Sequence, residues 1–236
     1  MMGGRPRGGA VLPAVEAFRL GHRSARLTLP FVGREHAARL ARSSTGALAE
    51  EAKRQVAAMA ALADEIAATV RDAEATLAKL GVRISARPAN LPEYRRWAAE
   101  VNGGAASRLA PASPEGGALI LGGTLGALVA GTGLAVQALT FAIAGPDRQE
   151  LLTDLARHDQ GLAEQRRRLA SLKGHPGLPS ASLRALARLL EVVAAAPRID
   201  AGPKLADRLA LWQVLVASLP GHVDAIAAPL ATPLLS

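Results

Sequence analysis

The sequence predicts an all-α protein: long antiparallel or coiled-coil helices flanking a Gly-rich apolar helix or helical hairpin, with a small C-terminal helical region. Three observations carry this. Half of the 236 residues are hydrophobic but only 3% are aromatic, and the apolar residues are mainly Ala, Leu and Val, which suit closely packed helices and are poor material for a sheet. Two stretches repeat apolar residues at alternating steps of three and four, the spacing of one helix face. Between them, GGALILGGTLGALVAGTGLAVQALTFAIAG (residues 116–145) has no charged residue.

Residues 1–46 form a basic, Gly/Pro-containing arm. They hold eight arginines, Arg5, Arg7, Arg19, Arg23, Arg26, Arg34, Arg39 and Arg42, against Glu16 and Glu35, and so carry most of the formal net charge of +8. Such an arm gains about 1 kcal/mol per Arg near anionic lipid, could instead bind nucleic-acid phosphates, or could be a solvated tail. Lipid ranks ahead of nucleic acid, with Arg5, Arg7, Arg19, Arg23, Arg26 and Arg34 as the basic surface. Pro13 and Glu16 interrupt the only early apolar stretch, so no secretory signal is evident.

Residues 47–81 form a long amphipathic helix. Val56, Met59, Ala63, Ile66, Val70, Ala73, Leu77 and Leu80 make its seam and Gly81 its end. Residues 82–115, with Pro88, Pro92, Pro111 and Pro114, read as a linker holding one short helix, LPEYRRWAAEV. Its Tyr94 and Trp97, with Arg95 and Arg96 between them, suit either a membrane interface or docking on a bundle.

Residues 116–146 form the apolar segment. It exceeds the roughly 20 residues a spanning helix needs. Its Leu, Ile, Val and Phe residues together favour a bilayer by roughly 3–6 kcal/mol before Gly, Thr and Gln137 offset some of that. Gly122, Gly126 and Ala130 form one small-residue stripe, and Gly123, Ala127 and Gly131 a second, the pattern that lets helices approach closely. Three placements follow: a single span, a hairpin bent at Gly131-Thr132-Gly133, or the core of a soluble bundle.

Residues 147–174 form a second long helix with the seam Leu151, Leu155, His158, Leu162, Gln165, Leu169 and Leu172, closed by Gly174. Comparable lengths predict that the two long helices pair antiparallel, His158 and Gln165 then needing polar partners. In residues 175–236 the prolines leave room for helices at 182–196 and 203–219. The latter includes LALWQVLVASL, apolar nearly all round, which must be covered by protein or lipid.

Catalytic chemistry is not indicated. Without cysteine, disulfides, zinc-thiolate sites and thiol catalysis are excluded. Gly131-Thr132-Gly133 lacks the third glycine and the βαβ setting of a dinucleotide loop, and no phosphate loop, zinc-protease motif or nucleophile elbow occurs. His22, His36, His158, His175 and His222 form no metal-ligand pair at helical spacing. Glu50–Glu51 and Asp64–Glu65 read as solvated ion pairs.

The expectation is a non-enzymatic, cofactor-free, membrane-associated structural or interaction protein, in a bacterial inner membrane or its equivalent. It would assemble with itself or a helical partner through its long helices and small-residue stripes. The order long helix, apolar segment, long helix over residues 47–174 resembles that of α-helical pore-forming toxins. That resemblance implies a membrane-inserting alternative; a soluble coiled-coil scaffold is another.

Overall fold

Eight α-helices account for nearly all described residues: α1 Ala14–Arg26, α2 Gly46–Ala61, α3 Ala63–Lys79, α4 Leu91–Arg108, α5 Pro114–Ala144, α6 Arg148–Leu172, α7 Ser180–Ala195 and α8 Leu205–Ala231. They come from a computed structural model that describes residues 12–26, 38, 42, 45–61, 63–84, 88, 90–144, 148–196 and 205–232.

Local chemistry sets several helix ends. At the end of α3, Gly81 has φ +69°. The Val82 N–H bonds the Leu77 carbonyl and the Gly81 N–H that of Ala78, the paired closure that satisfies orphan carbonyls. Gly174 closes α6 in the same left-handed region, at φ +77°. At the start of α4 the Asn90 side chain accepts from the Glu93 N–H at 3.0 Å and donates to the Glu93 carboxylate at 2.9 Å, a reciprocal cap. The Ser113 hydroxyl accepts from the Gly116 N–H and opens α5.

α5 is the axis of the bundle. α1 runs parallel to it, Phe18 meeting Gly122 and His22 meeting Gly126, while α6 returns antiparallel with His158 beside Gly131 and His175 beside Gly117. α7 packs on α6, and α8 on both α7 and α5. α3 lies antiparallel on α1, since Lys79 pairs with Glu16 and Asp72 with Arg23. One cluster unites Phe18, Leu77, Tyr94, Trp97, Leu121 and Leu186 with their neighbours; a smaller one joins Ala135 and Leu139 to Trp212.

Several expectations are corrected. Part of the N-terminal arm is core: Ala17, Phe18, Leu20, Gly21, His22 and Ser24 of α1 are buried. The short polar period of this segment hides its apolar stripe among arginines, so charge density misleads there. The apolar run does not bend at Gly131-Thr132-Gly133, because α5 is continuous through them. Glycine permits a turn but does not impose one, and continuity keeps the interior peptide groups hydrogen-bonded.

The two long helices are not partners either. α3 packs on α1 and α4, and α6 on α5 and α7, so each seam is covered by other helices of the chain. The first long segment comprises two helices, with Leu62 outside the described residues. The short helix of the linker extends to Arg108, taking in Gly103 and Gly104. The last helix runs through Pro220 and Pro229 to Ala231, past the expected end at residue 219.

Candidate membrane-facing helices and the glycine crossing

The small-residue stripes of α5 meet helices of this same chain. A Cβ at Gly122 would lie 2.1 Å from the Phe18 carbonyl oxygen, and one at Gly126 2.3 Å from that of His22. α1 answers with Gly21, whose Cβ would lie 2.3 Å from the Leu119 carbonyl oxygen. Such backbone contact is what a glycine stripe allows and any side chain forbids. Gly123 faces Gly21 more loosely, at 3.9 Å, and Gly131 lies against the His158 ring. Ala130 is buried and Ala127 half-buried.

Thr124 and Thr132 fit this apolar setting because each hydroxyl donates to the carbonyl four residues earlier, at 2.8 Å. Their buried oxygens are thereby satisfied within the helix.

The aromatics of α4 are docked on the bundle. Tyr94 and Trp97 are buried, their rings 5.2 Å apart and tilted by 38° to one another. The Tyr94 hydroxyl donates to the Ser24 carbonyl at 2.7 Å, one of the last α1 carbonyls that lack an intrahelical partner. Burial raises the Tyr94 phenol far above its ordinary range, so it remains a donor.

Among the basic residues, Arg19, Arg23 and Arg26 are exposed on α1. Arg23 pairs with Asp72 and Lys79 with Glu16 across an open groove between α1 and α3. Arg5, Arg7 and Arg34 lie outside the described residues. On the inner side of α1, His22 stacks on Phe18 and its Nε2 is buried without a hydrogen-bond partner. Burial first, then the charges of Arg26 and Arg23, lower its pKa to about 4.

The expected demand for polar partners on α6 is met unevenly. His158 makes an edge contact with Trp212 at 5.4 Å, and the buried Gln165 side-chain oxygen has no partner. Among the described residues no group of His, Asp or Glu is arranged to hold a metal ion.

Two helical stretches are long and apolar enough to cross a membrane, Pro114–Val136 of α5 and Leu209–Ala231 of α8. They differ in surroundings: 56% of the apolar stretch of the first is buried within the protein, but only 22% of the second. On α8, Trp212, Leu215, Leu219, Ile226 and Leu230 face inward, whereas Leu211 and Val214 are 56% and 69% exposed. The sequence identified the apolar character of α8 but singled out no residue on it; a helical-wheel reading of 205–231 alone could not divide covered from uncovered faces, since apolar residues occupy both.

Comparison of the chain with protein-family models, with curated proteins and with solved structures found no match. The architecture therefore defines the class, an all-α bundle around an apolar helix whose only charged residue is Glu115 in its first turn, with two candidate membrane helices, and the function is argued from the geometry.

Proposed function

We propose that this chain is a membrane-associated helical interaction protein, as in a bacterial inner membrane, that meets lipid through α8 and keeps α5 enclosed. The observation that carries this reading is the uneven cover of two similarly apolar helices: α8 leaves most of its apolar stretch uncovered. α5 is a poorer lipid-facing helix in this fold. Carrying it through a bilayer would take along α1 and α3 with Arg19, Arg23, Asp72 and Lys79, at a cost of about 2.5–3.5 kcal/mol for each central charge. Assembly with a second copy or a helical partner belongs to the same reading and uses the exposed helix faces; no catalytic step is proposed.

The test uses the absence of cysteine. Ser107 and Ser171 are both exposed and lie at one end of the bundle, where His175 Nε2 bonds the Pro111 carbonyl at 2.9 Å. Ser107→Cys and Ser171→Cys, each labelled with an impermeant maleimide on sealed oriented membranes, should react from the same face. Reaction from opposite faces would replace this reading with a span through α5. Recovery of the protein wholly in the soluble fraction would remove membrane association.

A second reading is favoured by the sheath itself. An apolar helix, uncharged from Gly116 on, wrapped by charged amphipathic ones is the arrangement of a protein that stores a membrane-inserting segment, with α1 as the helix that must leave. Tethering α1 to α3 through cysteines at positions 23 and 72 with a bifunctional maleimide should then block release of vesicle contents while leaving surface binding intact.

A further inference from the structure

The groove between α1 and α3 is crossed by a ladder of facing residues. The Lys79–Glu16 pair, at 3.0 Å, and the Arg23–Asp72 pair fix one antiparallel register, and that register sets Arg19 opposite Thr76, between the two pairs. Glu16, Arg19 and Arg23 follow along α1 at steps of three and four, and Asp72, Thr76 and Lys79 along α3 at steps of four and three, so each set shares one helix face. All of them line a single cavity of about 340 Å³. The outer rungs each match a cation with a carboxylate, but the middle rung does not. Thr76 bears no charge and its hydroxyl donates back to the Asp72 carbonyl at 2.8 Å, while no ion pair among the described residues reaches the exposed Arg19. The lining therefore sets Arg19, Arg23 and Lys79 against only Glu16 and Asp72.

We infer that this groove is a binding site for a small monocarboxylate, whose carboxylate lies at Arg19 where an acid on α3 would complete the ladder. The flanking rungs identify the chemistry, since on both of them a carboxylate is what the groove sets against its cations. A guanidinium presents a planar fork that matches the two oxygens of a carboxylate. One singly charged ligand balances the lining, whereas a dianion would bring a charge with no match. Leu20 and Ala73 also line the cavity and are nearly fully buried, which gives a short hydrocarbon tail an apolar wall. The inference goes beyond the membrane-associated reading and does not depend on it.

The test is a ligand-observed magnetic-resonance titration of the full chain at neutral pH with butyrate, with butyramide as its uncharged isostere and dimethyl phosphate as a phosphodiester. Circular dichroism verifies that each variant keeps its helices. Butyrate should bind about tenfold more tightly than either of the others. Arg19→Gln, at an exposed position, should weaken butyrate by about tenfold, and Thr76→Glu, which supplies the missing carboxylate from α3 itself, should abolish its binding. Arg188→Gln removes the same charge from the exposed face of α7 and should change nothing. Absence of butyrate binding, or equal affinity for butyramide, overturns the site. Equal weakening by Arg19→Gln and Arg188→Gln assigns the effect to net charge and overturns it too. Butyrate binding that survives Thr76→Glu in a folded chain overturns the placement at the middle rung. Tighter binding of dimethyl phosphate assigns the groove to a phosphodiester, such as a lipid headgroup, and overturns the carboxylate.

Discussion

Gly122 of α5 and Phe18 of α1 meet backbone to backbone, so closely that a Cβ at Gly122 would stand 2.1 Å from the Phe18 carbonyl oxygen. The contact repeats one turn on at Gly126 and His22, and it seats a short arginine-bearing helix against the most apolar helix of the chain.

Gly122→Ala is therefore expected to destabilise the fold by about 2–4 kcal/mol, since backbone on both sides must move to admit the methyl group. Gly161→Ala is the matched control. It lies within α6, where a Cβ meets nothing within 4 Å, and should stabilise by about 0.5–1 kcal/mol through helix propensity. Urea unfolding of both variants against the parent checks the opposite signs.

Tyr94→Phe should cost about 1–3 kcal/mol in the same measurement. It removes the hydroxyl that satisfies the buried Ser24 carbonyl and leaves that acceptor unpaired. Trimming the exposed Val214 to Ala should change stability by less than about 0.5 kcal/mol.

Acid should loosen the α1–α5 contact through His22. Its pKa is depressed to about 4 from 6.5, so between those values the unfolded chain binds the proton and the folded chain does not. Stability then rises with pH across this window, is fully present above about 6.5 and is lost as the pH falls toward 4. The shift corresponds to roughly 3 kcal/mol. Unfolding midpoints of parent and His22→Asn chains across that range should converge as the pH drops, because the variant lacks the titrating ring.

Leu125→Ala, at a fully buried position facing the core, should cost about 2–5 kcal/mol by leaving a cavity. By contrast, Arg23→Gln, which breaks a half-exposed ion pair with Asp72, should cost no more than about 1 kcal/mol. If the arginine variant proved the more damaging of the two, α1 would be held by charge rather than by its buried stripe.

Helix type and several helix ends were readable because they depend on neighbours in sequence. The step of three and four through Val70, Ala73 and Leu77 does lie on a buried face, and Gly81 and Gly174 do close their helices at positive φ. Pairing was not readable. The seams of α3 and α6 each advertise an apolar partner, but nothing in their own spacing says that the partner is not the other seam. Likewise Gly131-Thr132-Gly133 allows a bend, and only the packing of His158 beside Gly131 shows the helix continuing past it.

By itself the sequence determined that the chain is helical, that residues 116–145 must be shielded from water, and that thiol chemistry is excluded. Only the tertiary structure decided what does the shielding. α1 takes the role because Gly21, Gly122 and Gly126 let two backbones touch over a long contact, a gain that exists only when both helices are already side by side. The same packing left Leu211 and Val214 of α8 uncovered, because a helix apolar on every side can turn only one of them toward a bundle of finite size.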